Sequence, residues 1–264
     1  MSTVAALALE RNRGRLVLLA LAFGLFEFVV GIAYASVDQN AIRSLVDALP
    51  PALRALAGSA DIATATGYVG SALLHPVALA VQAAVVITMG SAPARETETG
   101  TAELVLSRPL PPARWLAAHA LAMAAALALV VLGGYAGALA AALTVDDLAA
   151  VRAAPLGGAL LASYACFLAV GGVTLLAASL VRTGARAVAW ATGFLLVSYA
   201  LAYLARLWTV AEPLGHISIF TYLDPPAVLR RGALDAGDLA VLGVLAVAGV
   251  AAALLVVERR DLTP

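Results

Sequence analysis

Apolar residues run along this chain in six long blocks. They lie at roughly 16–36, 67–90, 115–143, 156–181, 187–207 and 238–257. A helix rises about 1.5 Å per residue, so about 20 mostly apolar residues cross the ~30 Å hydrocarbon core of a bilayer. Each block meets that length. The pattern predicts an all-α integral membrane protein of six transmembrane helices in one domain, residues 1–264. An even number of spans puts both termini on one side.

The first block has features of a secretory signal. Arg11, Arg13 and Arg15 precede an apolar run, and Ala33-Tyr34-Ala35 has the form of a cleavage site. The run is too long for the apolar part of a typical signal peptide, so it is read as the first span. Residues 4–15, with Glu10 and three arginines, predict an amphipathic helix on the inner membrane surface.

Three polar segments predict structured loops. Residues 37–66 hold Pro50-Pro51 and an apolar Leu45–Leu56 stretch, which predicts an outer interfacial helix. Residues 208–237 are too apolar for a solvated loop, and Pro213, Gly215, Pro225 and Pro226 break them too often for a span. Short helices dipping into the outer interface fit that segment, with Trp208, Phe220 and Tyr222 at headgroup depth. Residues 91–114 form an inner loop with much of the charge. There Pro93 suits a first helical turn. Glu96 and Glu98 fall where a helix N-terminus would favour negative charge. Pro109, Pro111 and Pro112 end the helix by Arg108. A short helix or a broken pair results, with Leu104, Val105, Leu106 and Leu110 packed toward the bilayer and the charged face left for a partner.

Composition supports the membrane assignment. Hydrophobic residues make up 63% of the chain, charged residues 12%, and mean hydropathy is +0.98. Soluble domains are about half apolar and a quarter charged. Net charge is zero, from 16 arginines and 16 acids with no lysine. Without lysine the chain has neither a phosphate-binding loop of the usual form nor a Schiff-base catalyst. The charge balance gives no sign of a nucleic-acid partner. Cys166 stands alone in an apolar run, and the three His and three Met are scattered without metal-ligand spacing. Arginine bias orients the protein: with the termini cytoplasmic, ten of the 16 arginines lie inside and six outside.

The run Arg95-Glu96-x-Glu98-x-Gly100-Thr101-x-Glu103-Leu104-x-Leu106-Ser107-Arg108-Pro109 resembles the cytoplasmic signature of permease subunits of ABC-2 type ATP-binding-cassette exporters. Ser218-x-Phe220-x-Tyr222-x-Asp224-Pro225 and the terminal Glu258-Arg259-Arg260-Asp261-Leu262 resemble the outer segment and ending of the same family. The resemblance implies a permease in the cell (inner or plasma) membrane that binds no cofactor itself. It would pair with a second permease copy and with two copies of a separate nucleotide-binding ATPase that carry ATP and Mg. Residues 91–114 would be the coupling helix, and Arg95, Glu96, Glu98, Gly100, Thr101, Glu103, Leu104, Ser107 and Arg108 the coupling residues. The two permeases would meet mainly through spans one, two and five, around a cavity with alternating or gated access. A secondary transporter, a membrane scaffold and an integral membrane enzyme stand as alternatives.

Few polar groups lie within the spans. Glu27 sits near the middle of the first, where a carboxylate is costly and a substrate, ion or proton contact competes with a structural hydrogen-bonded role. His75 and Gln82 of the second span match it in depth, which makes the three a candidate substrate pathway. Pro76 inside a span predicts a bend. Gly133-x-x-x-Gly137 and Gly171-Gly172 permit close helix approach, within the subunit or between copies. Trp115 and Trp208 fit interface anchoring, and His119 an interfacial polar site near the inner surface.

Overall fold

In the computed structural model the described residues are 2–36, 38–49, 64–65, 68–69, 72, 75–107, 109–148, 153–224, 228, 231 and 235–259. They are helical almost throughout, and six helices are long and apolar enough to cross a membrane. In chain order the helices are α1 (Ser2–Ala33), α2 (Gln39–Ala48), α3 (Pro76–Gly90), α4 (Ala92–Glu98) and α5 (Thr101–Leu106). They continue with α6 (Pro112–Thr144), α7 (Ala153–Leu180), α8 (Gly184–Leu207), α9 (Glu212–Gly215) and α10 (Ala236–Arg259).

Proline and capping residues explain the breaks. Pro76 opens α3 rather than bending a helix: His75 is its N-cap, extended at φ −61° and ψ 139°, and His75 Nδ1 accepts from the Val77 amide at 3.2 Å. A proline in the first turn lacks only an amide that had no helical partner. The expected start of span two at residue 67 lies outside the described residues. From Pro76 the apolar path continues through a turn at Ser91 to Glu98. Pro93 and Pro112 likewise sit in the first turns of α4 and α6.

The separate surface helix expected over 4–15 does not form. Those residues are the first turns of α1, which runs unbroken for 32 residues. At about 1.5 Å per residue it is about 48 Å long, well beyond the hydrocarbon core, so its arginine-bearing end can stand outside the apolar layer without a break.

Packing follows small residues, as it must where lipid removes the hydrophobic drive between helices. Gly133 and Gly137 of α6 meet Ala20 and Gly24 of α1: a Cβ on Gly24 would lie 2.7 Å from the Gly133 carbonyl oxygen, and a Cβ on Gly137 would collide with the Gly24 carbonyl. Beside this seam the ring of Phe23, 1% exposed, fills the space that a Cβ on Gly134 would need. A second seam joins α7 to α10, where Gly172 faces Ala246 and Gly249. So both glycine pairs serve contacts inside the subunit. α7 is the central helix, whereas α8 and α10 are largely open on their outer sides.

Beyond α8 the chain turns back. Trp208 caps α8, and α9 with its flanking tight turns returns Ser218 to the level of Ser198, ten residues back down that helix. About 15 Å of depth is recovered in this way. Phe220 therefore lies not at headgroup depth but 5% exposed, edge-on to Phe167 and Tyr199. The expected helix over 45–56 is seen only as the exposed α2, because residues 50–63 lie outside the described residues; Pro225 and Pro226 do too.

Candidate functional site

The loop between α3 and α6 folds as two short helices, α4 and α5, joined at Gly100. Gly100 has φ 73°, a left-handed conformation that costs a residue without a side chain nothing. Thr99 and Thr101 hydroxyls meet across the joint at 2.9 Å.

α4 is tied to the bundle by three charged side chains. Arg95 Nη1 donates to Ser91 Oγ at 2.7 Å and Nη2 to the Thr88 carbonyl at 2.6 Å, closing the end of α3. Arg15 of α1 reaches Thr88 Oγ1 at 3.3 Å. Glu96 Oε2 accepts from Trp115 Nε1 at 3.2 Å and lies 3.2 Å from His119 Nε2, which anchors α4 to α6. Glu98 Oε2 accepts the Gly184 amide at 2.8 Å. Gly184 is the first residue of α8, so the carboxylate satisfies one of the helix's open amides and faces the positive end of its dipole. The aliphatic stem of Arg95 lies on Gly184 where a Cβ would be.

These links correct part of the sequence reading. Glu96 and Glu98 lie in the C-terminal half of α4, so their partners are on α6 and α8 and not at their own helix start. Trp115, 1% exposed, is no interface anchor; with His119, 2% exposed, it is a buried donor that holds Glu96. Nothing in local spacing announced this pairing, since the partners lie 19 and 23 residues away.

α5 is different. Ala102 is buried and Val105 and Leu106 pack against the core, as does Leu110 beyond the helix. Glu103 and Ser107 are exposed, and Leu104 is 74% exposed instead of packed toward the bundle. Gly100 and Thr101 are half-buried. Arg108 lies outside the described residues. The nine candidate coupling residues thus divide: Arg95, Glu96 and Glu98 clamp the loop, while Glu103, Leu104 and Ser107 present a free face.

Among the described residues no hydrogen bond joins the three candidate pathway residues, Glu27, His75 and Gln82. Gln82 is buried and satisfied, accepting from Ser163 Oγ at 2.9 Å and donating to the Ala78 carbonyl at 3.3 Å. His75 is exposed, caps α3 and lies against Phe26, the ring centres 5.3 Å apart and the planes tilted by 43°. Glu27 is 2% exposed on the face of α1 that meets α6, and neither carboxyl oxygen has a hydrogen-bond partner among the described residues. Sequence reading missed a further polar link. Ser218 Oγ donates to the Ser198 carbonyl at 2.6 Å, and Ser198 Oγ accepts the Ile219 amide at 3.1 Å, so non-helical backbone at membrane depth is satisfied inside the protein. Among the described residues no group of three or more His, Cys, Asp or Glu is placed to hold a metal ion.

Six apolar helices make this a multi-pass helical membrane protein, and the family that its sequence matches is one of transporter permeases. Residues 1–257 match the family described as multidrug efflux system permease Rv1217c, C-terminal domain, and the chain belongs to that family. No curated protein and no solved structure matches it. The family makes the chain a membrane transporter component rather than an enzyme.

Proposed function

We propose that this chain is the membrane-spanning permease subunit of an ABC-2 type, ATP-driven exporter, powered by two copies of a separate nucleotide-binding ATPase through residues 91–114. The observation that carries the reading is the division of labour in the inner loop. α5 leaves Glu103, Leu104 and Ser107 open to a partner, while α4 is bonded to the ends of α3, α6 and α8. A push on α5 would therefore reach spans two, three and five through Arg95, Glu96 and Glu98. ATP and Mg belong to the ATPase. A second permease copy would complete the path through spans one, two and five, with both termini and the α4–α5 loop cytoplasmic in the cell membrane. The family's description points to hydrophobic or amphipathic drug-like substrates, which suits apolar spans. Glu27, without a hydrogen-bond partner among the described residues, is the proposed contact in the substrate pathway.

The test uses inside-out membrane vesicles containing the permease and its ATPase, with an amphipathic fluorescent dye as substrate. Uptake should require ATP. Leu104→Asp should reduce it about tenfold or more, as expected for loss of a central contact residue, with the amount of folded permease unchanged. Dye uptake driven by a proton gradient in vesicles lacking any ATPase, or full ATP-driven uptake with Leu104→Asp, would overturn the reading in favour of a secondary transporter.

A further inference from the structure

The α7–α8 hairpin lines an open groove of about 980 Å³. That is the upper end of the ~300–1,000 Å³ range of small-molecule sites. Its walls are apolar, with Leu176 and Leu180 on α7 and Trp190, Phe194 and Val197 on α8. Gly193 deepens it, since a Cβ there would meet nothing within 4 Å. The one hydroxyl in the wall, Ser198, is buried and already bonded to Ser218 and Ile219. Leu180, Trp190 and Val197 are 60%, 69% and 61% exposed, so no described part of the chain covers the groove.

Its dimensions match one leaflet. From Ala189 to Leu201 the wall runs about 18 Å along α8, roughly half the ~30 Å hydrocarbon core. Ile217 of the folded-back segment lines the deep end. At the other end the chemistry changes sign. Arg186 lies one turn below Trp190 on the same face of α8, and Arg182 lies in the turn that joins α7 to α8. Both are exposed, and neither side chain has an acidic or hydrogen-bonding partner among the described residues. Glu98 reaches this turn, but its carboxylate is held by the Gly184 amide.

We propose that the groove binds an anionic phospholipid from the leaflet at the α4–α5 end, its acyl chain along α7 and α8 and its phosphate on Arg182 and Arg186. An apolar channel one leaflet deep, with two guanidinium groups at its mouth that have no acidic partner among the described residues, complements that molecule at both ends. A second copy that meets this one through spans one, two and five would use the α3 side of α8, at Leu196 and Tyr199, and fits poorly in the groove on the α7 side. A two-fold contact would set two concave surfaces face to face and bring four arginines together. The bound lipid would brace α8 next to its Glu98 link, so it would set the position of the helix nearest the inner loop. The proposal stands whether or not ATP drives transport.

Native mass spectrometry of the full purified chain, offered equal amounts of phosphatidylglycerol and phosphatidylcholine, tests it. Phosphatidylglycerol should be retained preferentially. The double variant Arg182→Gln/Arg186→Gln should weaken its retention about thirtyfold, from the usual contribution of two basic groups at a lipid surface. Arg182→Lys/Arg186→Lys should keep it, which separates charge from folding. Gly193→Leu, which fills the groove without touching a charge, should remove the lipid as well. Equal retention of the two lipids, or retention unchanged by both the glutamine and the Gly193→Leu variants, would overturn the proposal. Disulfide formation between Val197→Cys residues of two copies would also overturn it, by placing a second copy in the groove.

Discussion

At the scale of single residues, charge in the inner loop divides by what each side chain touches. Glu96 is the shared acceptor of two buried donors, Trp115 and His119. Glu96→Ala would leave both without their carboxylate, at a cost of about 1–3 kcal/mol. Glu103 is exposed and has no such duty, so Glu103→Ala should lie within about 0.5 kcal/mol of the parent. Thermal unfolding in detergent would separate them: a clear drop for Glu96→Ala, with Trp115 emission shifted, and none for Glu103→Ala. Equal stability of the two variants would mean that Glu96 faces outward. Glu27 poses the converse case, a buried carboxyl with no described partner. As a pathway contact, Glu27→Gln should alter the rate or the pH dependence of transport while the yield of folded protein stays constant. Unchanged transport would make Glu27 a structural group. Position in the sequence showed that Glu27 is in mid-membrane. It could not show that Gln82 turns to Ser163, because that choice depends on a helix 81 residues further on.

At the scale of elements, backbone chemistry was readable and pairing was not. Pro93 predicted the start of α4, and Pro109, Pro111 and Pro112 the end of α5, because a proline cannot sit in a helix interior without losing a hydrogen bond. Pro76 misled for the same reason read in the other direction: it was tolerated as the first residue of α3, not as a bend. The glycine pair at 133 and 137 signalled close approach, but only packing selected Ala20 and Gly24 of α1 as the partners. That seam has no room for a side chain. Gly137→Leu should destabilise the α1–α6 contact by about 1–3 kcal/mol or more, the usual cost of overpacking. Gly193→Leu, in open space on α8, should not lower stability. Size-exclusion profiles of the two variants after mild heating would check the contrast. The cap on α8 is a similar long-range effect. Glu98→Ala should loosen the first turn of α8 by about 0.5–2 kcal/mol, as removal of an N-terminal capping group does. Hydrogen exchange at Gly184–Ala187 would report it, and unaltered protection there would mean that Thr183 alone holds the turn.

At the scale of the whole molecule, the six-span layout and the arginine count make one joint statement about sidedness. Six crossings place Ala6, Thr99 and Ala185 at one end, and Asn40 and Glu212 at the other. The first end carries ten of the 16 arginines, a bias that predicts a cytoplasmic position for it. The margin is modest, but the contributing loops are short, and short loops are where the bias acts. The protein itself makes the measurement clean, because its one native thiol, Cys166, is fully buried between helices. Single cysteines introduced at the five exposed positions should therefore be the only reactive ones. In intact cells a membrane-impermeant maleimide should label positions 40 and 212, and should reach 6, 99 and 185 only after the membrane is opened. The reverse pattern would keep the fold and invert the orientation, putting α5 out of reach of any cytoplasmic ATPase. Labelling of 99 and 212 from the same side would go further, because no arrangement of six crossings in this order can place those two residues together.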